Sequence, residues 1–141
     1  MAAPPSSAPA SSRPGRRSGV LLRIEHVFCF VPASVALRVA PAPRVTSFPG
    51  APPELVGVTL YEGLIVPVVA IGPARREMVV CQHAGELVGL VGGEVVLSGS
   101  FDLVAGRADC VVHEGELARL IDLTAIYGRV LASVRPGGWA R

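Results

Sequence analysis

The sequence predicts an all-β protein that ends in one short helix. From residue 20 onward, short apolar runs alternate with glycine- or proline-containing breaks, and most runs are too short for helices. Many short, evenly spaced strands are typical of β-barrels and β-sandwiches. The chain has 141 residues, the size of one domain, and its 50% hydrophobic and 17% charged residues are typical of a folded protein.

The first predicted elements are two strands that precede a proline-rich connection. Residues 22–31 predict one long strand, and period-two alternation places one set of side chains on its core face. These are Leu22, Ile24, His26, Phe28 and Phe30. Pro32 begins a turn, and residues 35–39 predict the returning strand. Residues 41–43, Pro-Ala-Pro, predict an extended connection, because proline cannot donate a hydrogen bond within a ladder.

The centre of the chain predicts a β-hairpin. Its strands are residues 55–61 and 64–71, and Glu62 and Gly63 join them. A two-residue connection with glycine in second place is a strong hairpin signal, because such turns need positive φ angles.

The last third predicts more strands and then the helix. The strands are predicted at residues 77–82, 86–91, 94–97, 101–104, 109–112 and 116–121. Asp122 is the expected N-cap of the helix, and Pro136 followed by two glycines ends it. One helical stripe carries the apolar side chains Leu123, Ile126, Tyr127, Val130 and Leu131.

Both ends of the chain are expected to lie outside the folded domain. Residues 1–19 are rich in Ala, Pro and Ser and carry Arg13, Arg16 and Arg17, so they predict a disordered tail that buries little. This segment lacks the apolar run of a secretory signal. Residues 135–141 predict a flexible C-terminal tail. The folded domain is therefore expected to span residues 20–134.

Composition excludes several classes of function. Every basic residue is arginine, so a phosphate-binding or Schiff-base lysine is absent from the sequence. A net charge of +2, with arginines that are not interleaved with aromatic residues, does not predict nucleic-acid binding. An odd number of cysteines, 3, indicates a reduced, cytoplasmic protein. The longest apolar stretch, residues 55–74, contains Glu62 and helix-breaking residues, so we expect no membrane insertion.

The sequence offers no persuasive catalytic, cofactor or metal site. Each cysteine has a histidine nearby, in the pairs His26 with Cys29, Cys81 with His83, and Cys110 with His113. Strand alternation places only Cys81 and His83 on one face, so metal binding is not predicted. The chain also lacks the Gly-x-Ser-x-Gly pattern of a nucleophile elbow, and no carboxylate pair indicates an acid–base couple.

One central motif is more specific. Residues 48–71 read FPGAPPELVGVTLYEGLIVPVVAI. A proline-containing loop leads to Val56 and Gly57, a turn ends at Gly63, and an apolar strand then carries Pro67. This pattern resembles the signature of CheW-like domains, and the likeness extends over about residues 21–131.

The resemblance implies two small SH3-like five-stranded barrels that pack together around one hydrophobic interface, with a short C-terminal helix. CheW-like domains are non-enzymatic adaptors in chemotaxis. They couple the cytoplasmic tips of chemoreceptors to the regulatory domain of a CheA-type histidine kinase. The implied partner-binding residues are Val56, Gly57, Gly63 and Pro67, which shape the hairpin, and Glu62, the exposed specificity position. No cofactor is implied.

The chain departs from the family pattern at three motif positions. Glu62 replaces the usual Arg, and Ala70 and Gly92 replace residues that are usually Asp. These changes indicate a divergent member, and they leave open an accessory protein that binds only one partner, kinase or receptor. Two further alternatives are an unrelated β-barrel binding module and a small enzyme that uses Cys81 and His83.

Overall fold

The computed structural model describes residues 15–47 and 49–134, with side chains as far as residue 130. The predicted tails therefore lie outside the described residues for positions 1–14 and 135–141, as does the side chain of Leu131. The described elements are β1 (Arg16–Ile24), β2 (Val27–Pro32), β3 (Ala36–Pro41), β4 (Leu55–Tyr61), β5 (Leu64–Ala70), β6 (Ala74–His83), β7 (Glu86–Gly92), β8 (Glu94–Val104), β9 (Arg107–His113), β10 (Glu116–Leu120) and α1 (Leu123–Val134).

The first barrel joins strands from the two ends of the chain. Its strands close in the order β1-β2-β10-β9-β8. Neighbours are antiparallel except β2 and β10, which run parallel. Phe30 and Phe101 lie inside the barrel with their rings edge to face and centroids 5.4 Å apart. Leu21, Val111 and Ala118 fill the space around this ring pair.

The second barrel contains the strands from the middle of the chain. Its order is β3-β6-β7-β5-β4, so β3 and β4 are the edges. Thr46, in the connection between these edges, exchanges backbone hydrogen bonds with Val58 at 2.9 Å, which curls the sheet toward closure. The interior cluster contains Val68, Met78, Val80 and Val91. Two SH3-like five-stranded barrels and a short C-terminal helix are therefore confirmed.

A separate cluster lies between the barrels. Val20 and Leu22 come from the first barrel, while the second barrel contributes Leu55, Val69 and Leu90. The helix completes this cluster with Leu123, Val130 and the partly buried Ile126, as the predicted stripe requires. The side chain of Asp122 accepts a hydrogen bond from the Ala125 N–H at 3.0 Å, so the predicted N-cap is confirmed.

The predicted long strand over residues 22–31 is wrong, because the chain turns within it. β1 ends at Ile24, Glu25 adopts a positive φ of 57°, and β2 begins at Val27. Leu21 and Leu22 are both buried, although they are neighbours on β1. Leu21 faces the first barrel and Leu22 faces the cluster between barrels, so simple alternation could not identify a single core face.

Residues 94–97 and 101–104 also differ from prediction, since they belong to the single strand β8 of 11 residues. The Ser-Gly-Ser segment between them continues the ladder, with Val20 opposite Ser98 and Gly19 opposite Gly99. Glycine and serine interrupted the sequence pattern there, but the pairing with β1 keeps the segment extended.

The folded part of the chain begins earlier than residue 20. Arg16 donates to the Ser100 carbonyl at 2.6 Å and lies 3.5 Å from the Asp102 carboxylate. Gly19 is buried and pairs with both β2 and β8. Residues 16–19 therefore belong to the first barrel, which corrects the predicted boundary of the N-terminal tail.

Two truncations test this boundary. Removal of residues 1–14 should leave the thermal midpoint almost unchanged, because that composition offers little to bury. Removal of residues 1–19 should lower the free energy of unfolding by about 2 kcal/mol or more, because several backbone hydrogen bonds, each worth ~1 kcal/mol, are lost. Urea denaturation of both chains measures the difference, and equal stability would contradict the assignment of residues 16–19 to the barrel.

Candidate partner-binding surface

The motif hairpin consists of β4, β5 and the turn at Glu62 and Gly63. Both turn residues have positive φ angles, 48° and 81° respectively. Glycine adopts this conformation without strain, whereas a residue with a side chain pays roughly 1–2 kcal/mol. The predicted hairpin is therefore present, and Glu62 occupies its tip with a positive φ angle.

Glu62 is exposed but not isolated. Its carboxylate accepts a hydrogen bond from the Arg38 guanidinium on β3 at 3.0 Å, and the two side chains are 65% and 60% exposed. Arg38 also donates to the Tyr61 hydroxyl at 3.4 Å. An exposed pair of this kind contributes at most about 1 kcal/mol to stability. Its larger effect is on the surface, because a potential partner meets a paired carboxylate and guanidinium rather than a single negative charge.

Gly57 allows β4 to approach the connection between β3 and β4 closely. It is buried, and a Cβ atom built at this position would lie 2.1 Å from the Thr46 carbonyl oxygen. Close approach of the two backbones therefore requires glycine. The next contact along β4 strengthens the junction, because the Thr59 hydroxyl donates to the Arg44 carbonyl at 2.8 Å. The connection from β3 is thereby fastened to the edge of β4.

Val56 and Pro67 are only partly exposed. Val56 packs against the interior of the second barrel. Proline usually lies at a strand edge or a bulge, but Pro67 lies within β5, an inner strand, opposite Val58. The parallel ladder between β5 and β7 begins one residue later, at Val68. Proline is tolerated there because that ladder has not yet begun.

Sequence reasoning missed the most exposed apolar pair of the hairpin. Leu60 and Ile65 face each other across β4 and β5 and are 70% and 73% exposed. Their strands read as nearly continuous apolar runs, so the sequence could not show which side chains point outward. The one sequence feature that could have indicated their exposure is their position close to the turn, where a side chain that points outward has no neighbouring strand to cover it.

These side chains form a continuous strip. Strand alternation places Val58 and Pro67 on the same face of the hairpin as Leu60 and Ile65. We call these four residues the outer strip. Next on this face of β5, Val69 pairs with Leu90 on β7, and both are buried in the cluster between the barrels. The outer strip therefore extends an apolar face that the helix covers at one end only.

The helix also contacts the turn between β6 and β7, through Tyr127. Its hydroxyl donates to the Glu86 carboxylate on β7, and its ring meets His83 edge to face at 5.7 Å. Burial, reinforced by the Glu86 carboxylate, raises the pKa of Tyr127 to about 12, so the phenol remains a hydrogen-bond donor. This contact fastens α1 to the β6–β7 turn and leaves Leu60 and Ile65 uncovered.

The geometry does not assemble a nucleophile from Cys81 and His83. Cys81 has no exposed surface, and its thiol contacts the Val79 carbonyl at 3.7 Å. Burial raises the pKa of Cys81 to about 12, which keeps the thiol protonated at neutral pH. His83 instead contacts Tyr127 at the surface.

The members of the other cysteine–histidine pairs lie in different surroundings. His26 lies exposed in the first turn, while Cys29 packs partly against the cluster between barrels. His113 contacts the rings of Phe28 and Phe101 at 5.9 and 5.8 Å. Within the described part of the chain, no three His, Cys, Asp or Glu side chains form a group that could hold a metal ion.

Gly92 has a structural reason to differ from the family motif. Its φ is 116°, and a Cβ atom there would lie 2.2 Å from the Gly72 backbone nitrogen. The two glycines pack backbone against backbone after β5 and at the end of β7. An aspartate side chain has no room at this junction.

Comparison with known proteins identifies the architecture. No protein-family model and no curated protein sequence matches the chain. The scaffolding protein TtCheW from Thermoanaerobacter tengcongensis has a similar structure, with a TM-score of 0.66 and 13% sequence identity over 79% of this chain and 88% of that chain. The fold is that of a CheW scaffolding protein. The two barrels of CheW thus correspond to the arrangement expected from the central motif. Among the described residues, no helix has the length and apolar content to span a bilayer.

Proposed function

We propose that this protein is a non-enzymatic adaptor in chemosensory signal transduction. It couples chemoreceptors to a CheA-type histidine kinase through protein–protein contacts. The observation that carries the proposal is the two-barrel CheW fold with an exposed, apolar motif hairpin. The burial of Cys81 and the contact of His83 with Tyr127 weaken the enzymatic alternative.

The proposed partners are the regulatory domain of the kinase and the cytoplasmic tip of the receptor. The motif hairpin supplies two features that suit such contacts, the apolar outer strip and the charged tip at Glu62. Apolar centres with polar rims are typical of protein interfaces. The proposed setting is the cytoplasm, and the proposal includes no nucleic acid and no membrane insertion.

The pair formed by Glu62 and Arg38 favours a second candidate function. CheW-like domains usually present Arg at the turn, whereas here a carboxylate occupies the tip and an arginine reaches it from β3. Reversed charges discriminate between partners, because like charges brought together at an interface cost several kcal/mol. The alternative is a divergent accessory that binds only the kinase or only the receptor and modulates a non-standard pathway.

Calorimetric titration of the full chain tests both candidates. The titrants are the regulatory domain of a CheA-type kinase and a receptor-tip fragment from the same organism. Micromolar binding to both, a free energy of about −8 kcal/mol, supports the adaptor. Binding to one alone supports the accessory. Absence of binding to either, with the chain shown to be folded by circular dichroism, contradicts both.

Substitution of Glu62 by arginine should change partner binding without unfolding the protein. The variant places a second positive charge beside Arg38, and the lost surface pair alters stability by at most about 1 kcal/mol. We expect affinity for at least one partner to change about tenfold, or ~1.4 kcal/mol.

Glu25→Arg is the matched control for this variant. Glu25 is also exposed and also has a positive φ, 57°, in a hairpin turn, but it belongs to the first barrel. The control should bind as the unmodified protein does. If Glu62→Arg leaves both titrations unchanged, Glu62 is not a specificity position.

A further inference from the structure

Arg38 belongs to the surface of the hairpin tip, although it lies outside the central motif. It is part of β3, which forms one edge of the second sheet, whereas the hairpin tip follows β4, the other edge. Its Nη1 nitrogen donates to the Glu62 carboxylate at 3.0 Å and to the Tyr61 hydroxyl at 3.4 Å. One side chain from a distant strand therefore joins two neighbouring positions of the hairpin.

The turn fixes the backbone of Glu62 but not the direction of its side chain. Positive φ angles at Glu62 and Gly63 define the turn, whereas the carboxylate ends a long, flexible and largely exposed side chain. Among the described residues, only Arg38 forms a hydrogen bond with this carboxylate. A side chain without such a contact loses rotamer freedom when a partner orders it. Arg38 therefore determines how the tip carboxylate is presented.

The chemistry of arginine suits this task. A guanidinium is planar and carries several N–H donors in a fixed arrangement, so it can hold two acceptors at once. At Arg38 these acceptors are a hydroxyl and a carboxylate on adjacent residues. Lysine has the same charge but lacks the fixed arrangement of donors. Because exposed ion pairs add little to stability, the main effect of this contact is on the surface that a partner meets.

We propose that Arg38 is a positioning residue for Glu62, and that the two residues together set partner discrimination at the hairpin tip. This inference rests on the proposed function, in which the tip contacts a kinase or a receptor. Arg38 holds the carboxylate in one direction, and a cationic group of a partner must approach it beside the guanidinium. Loss of Arg38 turns a held, paired carboxylate into a mobile, unpaired one.

A thermodynamic cycle on partner binding tests the proposal. Arg38→Ala, Glu62→Gln and the double variant are titrated with the regulatory domain of the kinase and with the receptor-tip fragment. Arg38→Ala should change the affinity for the partner that contacts the tip by about fivefold or more. In the Glu62→Gln background the same replacement should change it by less than about twofold, because no carboxylate remains to be positioned. Equal effects in both backgrounds, or no effect in either, would overturn the proposal.

Two further variants separate positioning from charge. Arg38→Lys keeps the positive charge but loses the fixed donors, so it should not restore the affinity, and full restoration would overturn the positioning role. Arg23→Ala is the matched control, because Arg23 forms an equally short exposed pair with Glu94, 3.0 Å, on the first barrel. It should leave both titrations unchanged, and a change equal to that of Arg38→Ala would attribute the effect to net charge. The replaced side chains are exposed, so these variants should fold, and circular dichroism checks this.

The contact itself can be measured without any partner. The side-chain carboxyl carbon of Glu62 gives a ¹³C NMR signal that responds to hydrogen bonding by a charged donor. Arg38→Ala should shift this signal at neutral pH, whereas Arg23→Ala should shift that of Glu94 instead. A Glu62 signal that ignores Arg38→Ala would overturn the positioning role, whatever the titrations show. If the signal responds and neither partner binds, the positioning of Glu62 stands and the proposed function is wrong.

Discussion

Replacement of Gly92 by aspartate is expected to destabilise the protein severely, although aspartate is the residue that the family motif favours at this position. The backbone of Gly92 has a φ of 116°, which side-chain-bearing residues rarely adopt. The new Cβ atom would also lie 2.2 Å from the Gly72 nitrogen and 2.5 Å from its carbonyl oxygen. Backbone strain and steric overlap together predict a loss of about 3 kcal/mol or more in the free energy of unfolding.

Urea denaturation followed by circular dichroism measures this loss. Gly128→Ala is a suitable control, because Gly128 lies within α1 and an added Cβ atom meets nothing within 4 Å. The control should stabilise the protein by about 0.5–1 kcal/mol, since alanine favours helix more than glycine does. Unchanged stability in Gly92→Asp would show that the Gly72 segment moves aside easily.

Replacement of Phe30 by alanine has a comparable expected effect for a different reason. Phe30 has no exposed surface and packs edge to face against Phe101 inside the first barrel. Loss of the ring leaves a cavity that five surrounding strands cannot readily fill, so we expect a loss of about 3–5 kcal/mol. Leu103→Ala, at a partly exposed position of β8, should cost much less.

The same variant tests how the two barrels depend on each other. Val20 and Leu22 extend from the first barrel into the cluster that also buries Leu55 and Val69 of the second. Unfolding of Phe30→Ala should therefore remain a single transition at lower denaturant concentration. Two separated transitions would show that the second barrel keeps its structure alone, which would contradict the structural role assigned to the shared cluster.

Local patterns were sufficient for much of the fold. The hairpin around Glu62 and Gly63 was predictable because its turn chemistry is specified by adjacent residues. Asp122 likewise marked the start of α1 through a contact with its own first turn. The turn between β1 and β2 was not predicted, because Glu25 adopts a positive φ angle although no glycine beside it marks a break in the sequence. The single strand β8 was predicted as two strands, because its continuity depends on pairing with β1, a distant segment of the chain.

The candidate surface was less predictable because its features depend on contacts across the chain. Gly57 is required by Thr46, and Gly92 is required by Gly72. Such backbone contacts leave no periodic pattern in either segment. Leu60 and Ile65 are exposed because no distant segment among the described residues packs on them. The ion pair of Glu62 requires Arg38, which lies on another strand.

The first barrel contains strands from two separate parts of the chain, and this determines the order in which the two barrels can form during synthesis. The strands of the second barrel, β3 to β7, form one uninterrupted stretch, whereas β1 and β2 wait for β8, β9 and β10. On a ribosome, β1 and β2 emerge before the second barrel and can pair with each other, but they lack their other neighbours, β8 and β10, until β3 to β7 have been made. The second barrel can therefore form while Leu21 and Phe30 are still uncovered. The nascent protein depends on its last strands to shield its first ones, so the interval before β10 appears is the period of greatest exposure to aggregation.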